Sequence, residues 1–425
     1  MNPRNYLLES FLVAVKAADP AHIVPQHIPN PPAGRTLVVG AGKAAAAMAQ
    51  AVENACAMAA DGPLDGLVVT RYGHTLPTHK IRVIEAGHPI PDENGIQASQ
   101  EILAMVKALN PDDLLLCLFS GGGSSLLSLP IEGISLQDLR EVTNQLLRCG
   151  ANIQEINTVR KHLSAIQGGR LAAICKAPVL ALIISDVTGD AATHIASGPC
   201  APDPSTFTDS LAVLERYDLN VPPAVKQVLL AGKAGIVNET PKPGSAIFTR
   251  IENRIIANAH QSLVAAAEYF RGIGITPLIL GDTVSGESRE IAKSYAAFAK
   301  EIRHHPQGLR APVALLSGGE TTVTIKGNGR GGRNAEFLLS LLIELAGTEA
   351  IYALACDTDG LDGSENNAGA LITPDSLHRA EKLGLNATAY LANNDAYTFF
   401  QLLNDLVITG PTFTNVNDYR AILIL

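Results

Sequence analysis

The 425-residue sequence contains no tryptophan, and aromatic residues make up only 4% of it. Hydrophobic residues still account for 47%, which excludes a disordered chain and leaves Ala, Leu, Val and Ile to build the cores. Such a composition suits buried parallel strands that are covered by alanine-rich helices. The length predicts two or three domains rather than one.

Positive charge, paired cysteines and long apolar runs are also scarce. The formal net charge of −9 argues against nucleic-acid binding, so an anionic substrate would need a local cluster of Lys and Arg. The 6 cysteines are scattered without a CxxC pair, which is typical of reduced core residues in a cytoplasmic protein. No apolar run reaches the roughly 18 residues of a membrane span, and no signal peptide is expected.

Strand and helix patterns alternate along most of the chain, which is the signature of an α/β protein. The predicted strands are 36–40, 67–70, 81–85, 114–119, 179–184, 254–257, 275–280, 351–356 and 420–425, with one more leading into Ser317. The predicted helices are 5–18, 44–60, 94–108, 135–148, 157–174, 259–271, 288–301, 335–345, 376–383 and 395–403. A turn is expected at 61–62.

The proline-containing stretch 232–246 is the best domain boundary. We therefore predict two α/β domains with mainly parallel sheets and an active-site cleft between them. Residues 1–240 would form a Rossmann-like N-terminal domain, and residues 241–425 would form the C-terminal domain. The helix at 5–18 could pack on the C-terminal domain.

The strand at 114–119 runs into a loop of serine and glycine. This serine–glycine loop consists of Ser120, Gly121, Gly122, Gly123, Ser124 and Ser125. Consecutive glycines allow backbone N–H groups to form a concave nest that binds an anion, usually phosphate. A plain flexible turn is the alternative, but three glycines cost more conformational entropy than a turn requires.

A second strand ends in a similar way. Ser317 is followed by Gly318, Gly319 and Glu320, and then by two threonines. In both halves a basic Gly-Gly-Arg segment and an aspartate-rich turn come next. Because ligands of open α/β sheets bind at the carboxyl ends of strands, both sets of motifs would lie in one cleft if the two sheets faced each other. Gly318, Gly319 and Glu320 are therefore further candidates for nucleotide binding.

Lys43 follows Gly40-Ala-Gly42 at the start of a helix, where its ammonium group could reach a bound phosphate. An exposed surface lysine is the alternative. The same turn, with Ala45, fits a loose dinucleotide-binding pattern, but no acidic residue follows the second strand to bind a ribose. Arg71 at that position could instead favour a 2′-phosphate.

Carboxylates follow two of the predicted strands. Asp186 and Asp190 are candidates for binding Mg²⁺ or another divalent cation beside substrate phosphates, and Asp190 could also orient a hydroxyl nucleophile. The alternative makes them turn and cap residues. The run Asp357, Asp359 and Asp362 lacks the closing glutamate of a calcium loop, so calcium is excluded.

Several basic residues are candidates for binding an anion. Arg330 and Arg333 lie among glycines, which leave room for bidentate contact with carboxylate or phosphate, and Arg333 is favoured because a buried helix begins there. Arg160 and Lys161 are further cationic candidates. His88 is a weaker candidate for substrate contact.

These candidates together favour phosphoryl transfer, in which catalysis consists mainly of positioning and charge neutralisation. Neither a Walker A motif nor the residue set of a protein kinase is present. A phosphotransferase of this kind must therefore belong to another family.

Seven motifs resemble the glycerate 2-kinase family, whose C-terminal part is the MOFRL domain, here at about 310–420. They are the segments 39–45, 120–125, 185–190, 197–199, 316–321, 331–334 and 357–363. The resemblance implies phosphorylation of D-glycerate at its 2-hydroxyl by ATP with a divalent metal such as Mg²⁺. It also implies that Lys43 and Arg333 are catalytic, and that the serine–glycine loop binds nucleotide phosphates. A homodimer is a possible assembly.

Two other functions remain open at this point. Similar sequences have been named hydroxypyruvate reductase, which would use NAD(P)H at the Gly40–Ala45 turn. A noncatalytic sensor of sugar acids would bind its ligand without releasing ADP.

Overall fold

A computed structural model describes residues 2–59, 63–305 and 308–425. Contacts divide the chain into a first unit, residues 20–256, and a second unit, residues 1–19 with 257–425. This division differs from the predicted boundary at 240, because residues 251–257 form a strand of the first unit's sheet. The predicted turn at 61–62 and the end of the helix predicted at 44–60 lie outside the described residues.

The described residues form 14 strands. They are β1 Thr36–Ala41, β2 Leu64–Arg71, β3 Ile81–Ala86, β4 Leu114–Phe119, β5 Val179–Ile184, β6 Ile251–Ala257, β7 Thr276–Gly281, β8 Ser285–Glu287, β9 Val313–Ser317, β10 Glu320–Thr322, β11 Ile351–Asp357, β12 Gly369–Ile372, β13 Leu406–Val407 and β14 Asp418–Ile424.

The same residues form 16 α-helices. They are α1 Pro3–Lys16, α2 Pro20–Ile23, α3 Ala45–Ala59, α4 Glu93–Lys107, α5 Gly123–Leu126, α6 Leu136–Arg148, α7 Ile153–His162, α8 Arg170–Ala173, α9 Phe207–Arg216, α10 Pro223–Lys233, α11 Ala259–Gly272, α12 Ser288–His304, α13 Arg333–Leu345, α14 Ser376–Lys382, α15 Ala387–Ala392 and α16 Ala396–Leu403. Short 3₁₀ turns cover Val24–His27, Ile195–Ser197 and Ala246–Arg250.

The first unit contains a six-stranded sheet in the order β3-β2-β1-β4-β5-β6. Strands β1 to β5 pair in parallel, as predicted. The apolar run of β4 is buried along almost its whole length, as a central parallel strand requires. The strand order reverses between β1 and β4, and the carboxyl ends of strands at such a switch point form the usual ligand crevice of doubly wound sheets.

The second unit's sheet has the order β13-β12-β11-β14-β9-β7 and is mainly antiparallel. Among its described strands only β7 and β9 pair in parallel. The expectation of mainly parallel sheets therefore holds for the first unit and needs correction for the second. The reason is the last strand, β14, which inserts between β11 and β9 and runs antiparallel to both.

Helix α1 belongs to the second unit. Its buried face, Leu7, Phe11 and Ala14, packs against the apolar residues of α11, and the Tyr419 hydroxyl lies 2.8 Å from Ser10 Oγ. Arg4 Nη1 donates to Asp405 Oδ1 at 2.7 Å. The N-terminal segment thus completes a core whose other members lie more than 240 residues later in the chain.

The helix predicted at 157–174 is interrupted. Helix α7 ends at His162, and a separate turn of helix begins at Arg170. The chain between them leaves helical geometry because Gly168 and Gly169 have φ angles of +60° and +82°. Helices α9 and α10, which the sequence analysis did not identify, pack with α6 and α7 in a small helical core.

None of the helices in the described parts of the chain is long and apolar enough to cross a membrane.

Leu7 and Leu12 provide a matched test of the packing of α1. Leu7 is fully buried, whereas Leu12 is 54% exposed. We expect Leu7→Ala to lower the free energy of unfolding by about 2–5 kcal/mol, because it removes buried methyl groups and leaves a cavity. Leu12→Ala should change it by less than about 0.5 kcal/mol. Chemical denaturation followed by circular dichroism measures both, and equal losses would contradict the docking of α1.

Candidate functional site

The carboxyl ends of β1 and β4 hold the first group of predicted residues together. Lys43 N donates to Gly121 O at 2.9 Å, and Ala44 N donates to Ser120 Oγ at 3.0 Å. These bonds join the turn that precedes α3 to the serine–glycine loop. The structure therefore brings Gly42, Lys43 and Ser120 to one point, at the switch point of the sheet.

Two glycines allow this close approach. A Cβ atom on Gly42, whose φ is +142°, would lie 2.1 Å from Ser120 Oγ. A Cβ atom on Gly122, whose φ is +82°, would lie 2.9 Å from the ring of His88 and 3.5 Å from Lys43 Cγ. The side chains of Lys43 and His88 thus both lie beside Gly122, and the weaker histidine candidate belongs to this site.

The serine–glycine loop retains unused backbone donors. The N–H groups of Ser120 and Gly123 donate to Ala41 O and Ser120 O. The N–H groups of Gly121 and Gly122 have no acceptor in the described part of the chain, although Gly121 is buried. Since buried backbone donors are almost always paired, these two are suited to a ligand anion.

Ser124 is held by residues for which the sequence predicted no role in the site, although Ser197 belongs to the motif 197–199. Ser197 Oγ lies 2.8 Å from Ser124 Oγ and 3.2 Å from Asn157 Oδ1, and Gln167 Nε2 donates to Ser124 O at 2.8 Å. Ala196 and Ser197 have φ angles of +51° and +57°. Such strained backbone is concentrated at functional sites, but only the tertiary structure reveals it.

Asp186 and Asp190 follow β5, at the same edge of the sheet as the serine–glycine loop. Asp186 is half-buried, and Asp190 adopts a φ of +54° and donates its N–H to Val187 O at 3.1 Å. Across residues 2–59, 63–305 and 308–425, no group of three or more His, Cys, Asp or Glu residues is arranged to hold a metal ion.

The two adjacent cations of α7 have different environments. Lys161 is buried and pairs with Asp203 at 3.3 Å; burial lowers its pKa, and the carboxylate opposes that change. Lys161 is thus part of an internal ion pair rather than an accessible ligand group. Burial also lowers the pKa of Arg160, to about 10, but this guanidinium has no carboxylate partner among the described residues.

The second unit's Ser-Gly-Gly segment differs from the first. Gly318 N donates to Gly281 O at 2.9 Å, and Gly319 O accepts from Asp418 N at 3.2 Å. A Cβ atom on Gly319 would lie 2.2 Å from Val284 O. The glycines here let β9 turn into β10 against a neighbouring segment, so no free nest is visible at Gly318.

Arg333, at the start of α13, is surrounded by carboxylates. Its Nε lies 2.9 and 3.0 Å from the two Asp418 oxygens, Nη1 donates to Glu320 at 2.7 Å, and Nη2 donates to Asp357 at 2.9 Å. Burial would lower the pKa of Arg333, but these three carboxylates raise it well above its ordinary value. Three of its five N–H groups are thus used within the unit.

Buried carboxylates fix the elements around Arg333. Asp418 also binds Arg420, a fully buried residue that donates to Gly318 O at 3.0 Å. Asp362 accepts from the N–H groups of Asn334 and Ala335 at the start of α13, and burial raises its pKa to about 6. The aspartate-rich turn therefore holds the helix that carries Arg333.

Comparison with known proteins assigns the chain to a family. Residues 6–230 match the family described as Domain of unknown function (DUF4147), and residues 313–418 match the MOFRL family. The D-glycerate 2-kinase of Thermotoga maritima is 40% identical over 95% of this chain and 94% of its own length. The chain belongs to the glycerate 2-kinase family.

A solved structure agrees with this assignment, whereas one relative carries a different name. A crystal structure of the glycerate kinase of Thermotoga maritima matches with a TM-score of 0.88 and 39% identity, over 99% of each chain. A protein of Agrobacterium vitis is 49% identical over 100% of this chain and 95% of its own, and it carries a provisional name, hydroxypyruvate reductase. The family resemblance found in the sequence is therefore confirmed.

Asp418 and Asp375 provide a test of the buried carboxylate cluster. Asp418→Ala would leave the buried Arg420 charge without its carboxylate, and we expect the free energy of unfolding to fall by about 3–5 kcal/mol. Asp375, whose side chain is 64% exposed, pairs with Arg379 at 3.1 Å. Asp375→Ala should lower the free energy of unfolding by less than about 1 kcal/mol. Thermal and chemical denaturation measure both variants. If the two substitutions lower stability equally, the cluster is not a stability determinant.

Proposed function

We propose that the protein is an ATP-dependent glycerate 2-kinase. It transfers the γ-phosphoryl group of ATP to the 2-hydroxyl of D-glycerate and releases 2-phosphoglycerate and ADP. The observation that carries the proposal is the pair of unused N–H donors at Gly121 and Gly122, directly beside Lys43 at the switch point of a parallel sheet. In a member of the glycerate 2-kinase family, this arrangement is suited to a polyphosphate.

In the proposed reaction the serine–glycine loop holds the ATP phosphates. The glycerate 2-oxygen attacks the γ-phosphorus, the bond from that phosphorus to the β–γ bridging oxygen breaks, and ADP leaves. Lys43 neutralises negative charge on the transferring group. Arg333 keeps the catalytic role that the family resemblance implies. Asp190 either orients the 2-hydroxyl and accepts its proton or binds the divalent cation beside the phosphates.

The donor set is compatible with Mg²⁺ when substrate phosphates complete the coordination. Mg²⁺ is usually bound by one or two carboxylates together with substrate phosphates, and Asp186 and Asp190 supply two carboxylates after β5. Those two residues would hold the ion, which would supply charge neutralisation at the phosphates. Gly318, Gly319 and Glu320, which the sequence suggested as nucleotide contacts, have a weaker claim because the Gly318 N–H and the Glu320 carboxylate already have partners.

One contact argues against hydroxypyruvate reductase. A dinucleotide in the Gly40–Ala45 turn would place its pyrophosphate at the N-terminus of α3. There the N–H of Ala44 already donates to Ser120 Oγ at 3.0 Å, and Gly42 is pressed against the same side chain. The cytoplasmic location and the homodimer stay predictions from the sequence.

Product analysis tests the reaction directly. The protein is incubated with ATP, MgCl₂ and D-glycerate, and separately with NADH and hydroxypyruvate. We expect stoichiometric ADP and 2-phosphoglycerate, identified by phosphorus NMR, and no NADH oxidation. Formation of 3-phosphoglycerate would refute the choice of hydroxyl, and NADH oxidation without ADP release would refute the kinase.

Lys43 and Arg333 can be tested with matched surface variants. Lys43→Ala and Arg333→Ala should each lower kcat by at least about 100-fold, because each removes a charge that stabilises the transition state. Lys80→Ala and Arg271→Ala, at exposed positions, should leave it unchanged. Arg333→Lys keeps the positive charge but cannot make all of the arginine's contacts with the carboxylates, so it separates the effect of the charge from that of the contacts. Near-normal rates in folded Lys43→Ala and Arg333→Ala would contradict the proposed roles.

Gly122 tests the serine–glycine loop against a glycine of similar backbone geometry. Gly122 and Gly150 have φ angles of +82° and +78°, but only a Cβ on Gly122 would contact His88 and Lys43. Gly122→Ala should raise the KM for ATP by about 10-fold or more. Gly150→Ala introduces only the backbone strain of a positive φ, which costs about 1 kcal/mol of folding free energy, and it should leave the KM unchanged. Equal kinetics for the two variants would indicate that the loop does not bind the phosphates.

A further inference from the structure

A second binding feature of the first unit lies next to the serine–glycine loop. Ser124 and Ser125 line a small open cavity, together with residues of α6, α7 and the chain after α7. Arg160, in the last turn of α7, lines the same cavity. Asn157, one turn earlier on α7, contacts Ser197 beside Ser124, so one face of α7 is directed at this region.

Arg160 differs from the arginines around it. Arg216 and Arg140 each pair with a glutamate at the surface. The Arg160 guanidinium is half-buried, has no carboxylate or carbonyl partner in the described ranges, and is desolvated enough for its pKa to fall. Because a partly desolvated cation without a counter-charge is costly, an anionic ligand would relieve that cost.

The other polar groups of the cavity indicate which anion fits. They are the hydroxyls of Ser125, Ser128, Thr143 and Ser164. Hydroxyl groups both donate and accept hydrogen bonds, whereas a triphosphate requires only donors. A small hydroxy acid presents a carboxylate together with hydroxyls, and the cavity offers a guanidinium together with hydroxyls.

The position of the cavity is also suitable. Ser125 Oγ donates to Gly122 O at 3.2 Å, and Gly122 adjoins Lys43 and His88. The cavity therefore borders the loop assigned above to the ATP phosphates, while the backbone donors of Gly121 and Gly122 lie in the loop itself. A ligand in the cavity would be adjacent to the phosphates and would not need to compete for the same donors.

We propose that this cavity is the acceptor subsite and that Arg160 binds the carboxylate of the hydroxy acid in bidentate fashion. The inference rests on the proposed function, because it names the residue that recognises the acceptor of that reaction. Arginine is suited to this task because its planar fork matches a carboxylate, whereas lysine offers a point charge.

The first test compares acceptors in the full-length enzyme. Arg160→Gln should lower kcat/KM for D-glycerate by about 10- to 100-fold, the loss of a charge-assisted hydrogen-bond pair, with the KM for ATP unchanged. With D-glyceramide, which lacks the carboxylate, Arg160→Gln should change kcat/KM by less than about 2-fold. Arg148→Gln, at an exposed position at the end of α6, is the matched control and should have no effect.

Several outcomes would overturn the inference. Equal losses with D-glycerate and D-glyceramide would mean that Arg160 does not contact the carboxylate. A rise in the KM for ATP alone would assign Arg160 to the phosphates, and unchanged kinetics would remove it from the site. If Arg160→Gln does not fold, Arg160→Lys replaces it. We expect that variant to be intermediate for D-glycerate and unchanged for D-glyceramide, and wild-type behaviour with both would overturn the inference.

A binding titration separates this inference from the kinase proposal. D-glycerate is titrated calorimetrically into the wild type, Arg160→Gln and Arg148→Gln without ATP. Weakened binding in Arg160→Gln alone supports the subsite even if no ADP is released by the wild type. Unweakened binding in Arg160→Gln refutes the subsite even if the wild type is an active kinase.

Discussion

The contact between Gly42 and Ser120 is the constraint on which the first unit's site depends. Parallel pairing of β1 with β4 brings the two strand ends so close that no side chain fits on Gly42. Ser120 Oγ then takes the N–H of Ala44, and Gly121 O takes the N–H of Lys43. The backbone donors of Gly121 and Gly122 remain unused, because the bonds within the loop use the N–H groups of Gly123 and Ser125 instead.

The two Ser-Gly-Gly segments have similar sequences but different structural roles. In the first, glycine keeps N–H groups available and lets the side chains of Lys43 and His88 both approach Gly122. In the second, glycine lets β9 turn tightly into β10, and the Gly318 N–H is consumed by Gly281 O. The charge of the second unit's cluster is instead supplied by Arg333, which bridges Asp418, Asp357 and Glu320. Its position depends on carboxylates that are distant in sequence.

The sequence predicted the alternating elements well where periodic apolar runs were long. The five parallel strands β1 to β5 and the helices α3, α4 and α13 are examples. Strand direction in the second unit was not predictable, because a fully buried strand such as β14 has the same apolar pattern in either direction. Helices α9 and α10 are not predicted by the sequence pattern, and α7 is shorter than predicted because the glycines that follow it leave helical geometry.

Candidate site residues were predictable where polar or charged side chains lie next to glycines in the sequence, as at Gly42-Lys43 and Ser120–Ser125. Ser197, Asn157 and Gln167 were not, since their roles arise from contacts across more than 30 positions of the chain. The different environments of Arg160 and Lys161 were also invisible, because adjacent helical residues point in different directions. Only packing decides which of two neighbouring cations acquires an internal counter-ion.

The membership of α1 in the second unit has a consequence for how the protein is made. Residues 20–256 form a continuous segment, so the first unit can fold while synthesis continues. The apolar face of Leu7, Phe11 and Ala14 leaves the ribosome early, but its partner α11 is made only after the whole first unit. During that interval the nascent chain carries an unsatisfied hydrophobic stripe, a surface that chaperones recognise and that favours aggregation when synthesis stalls.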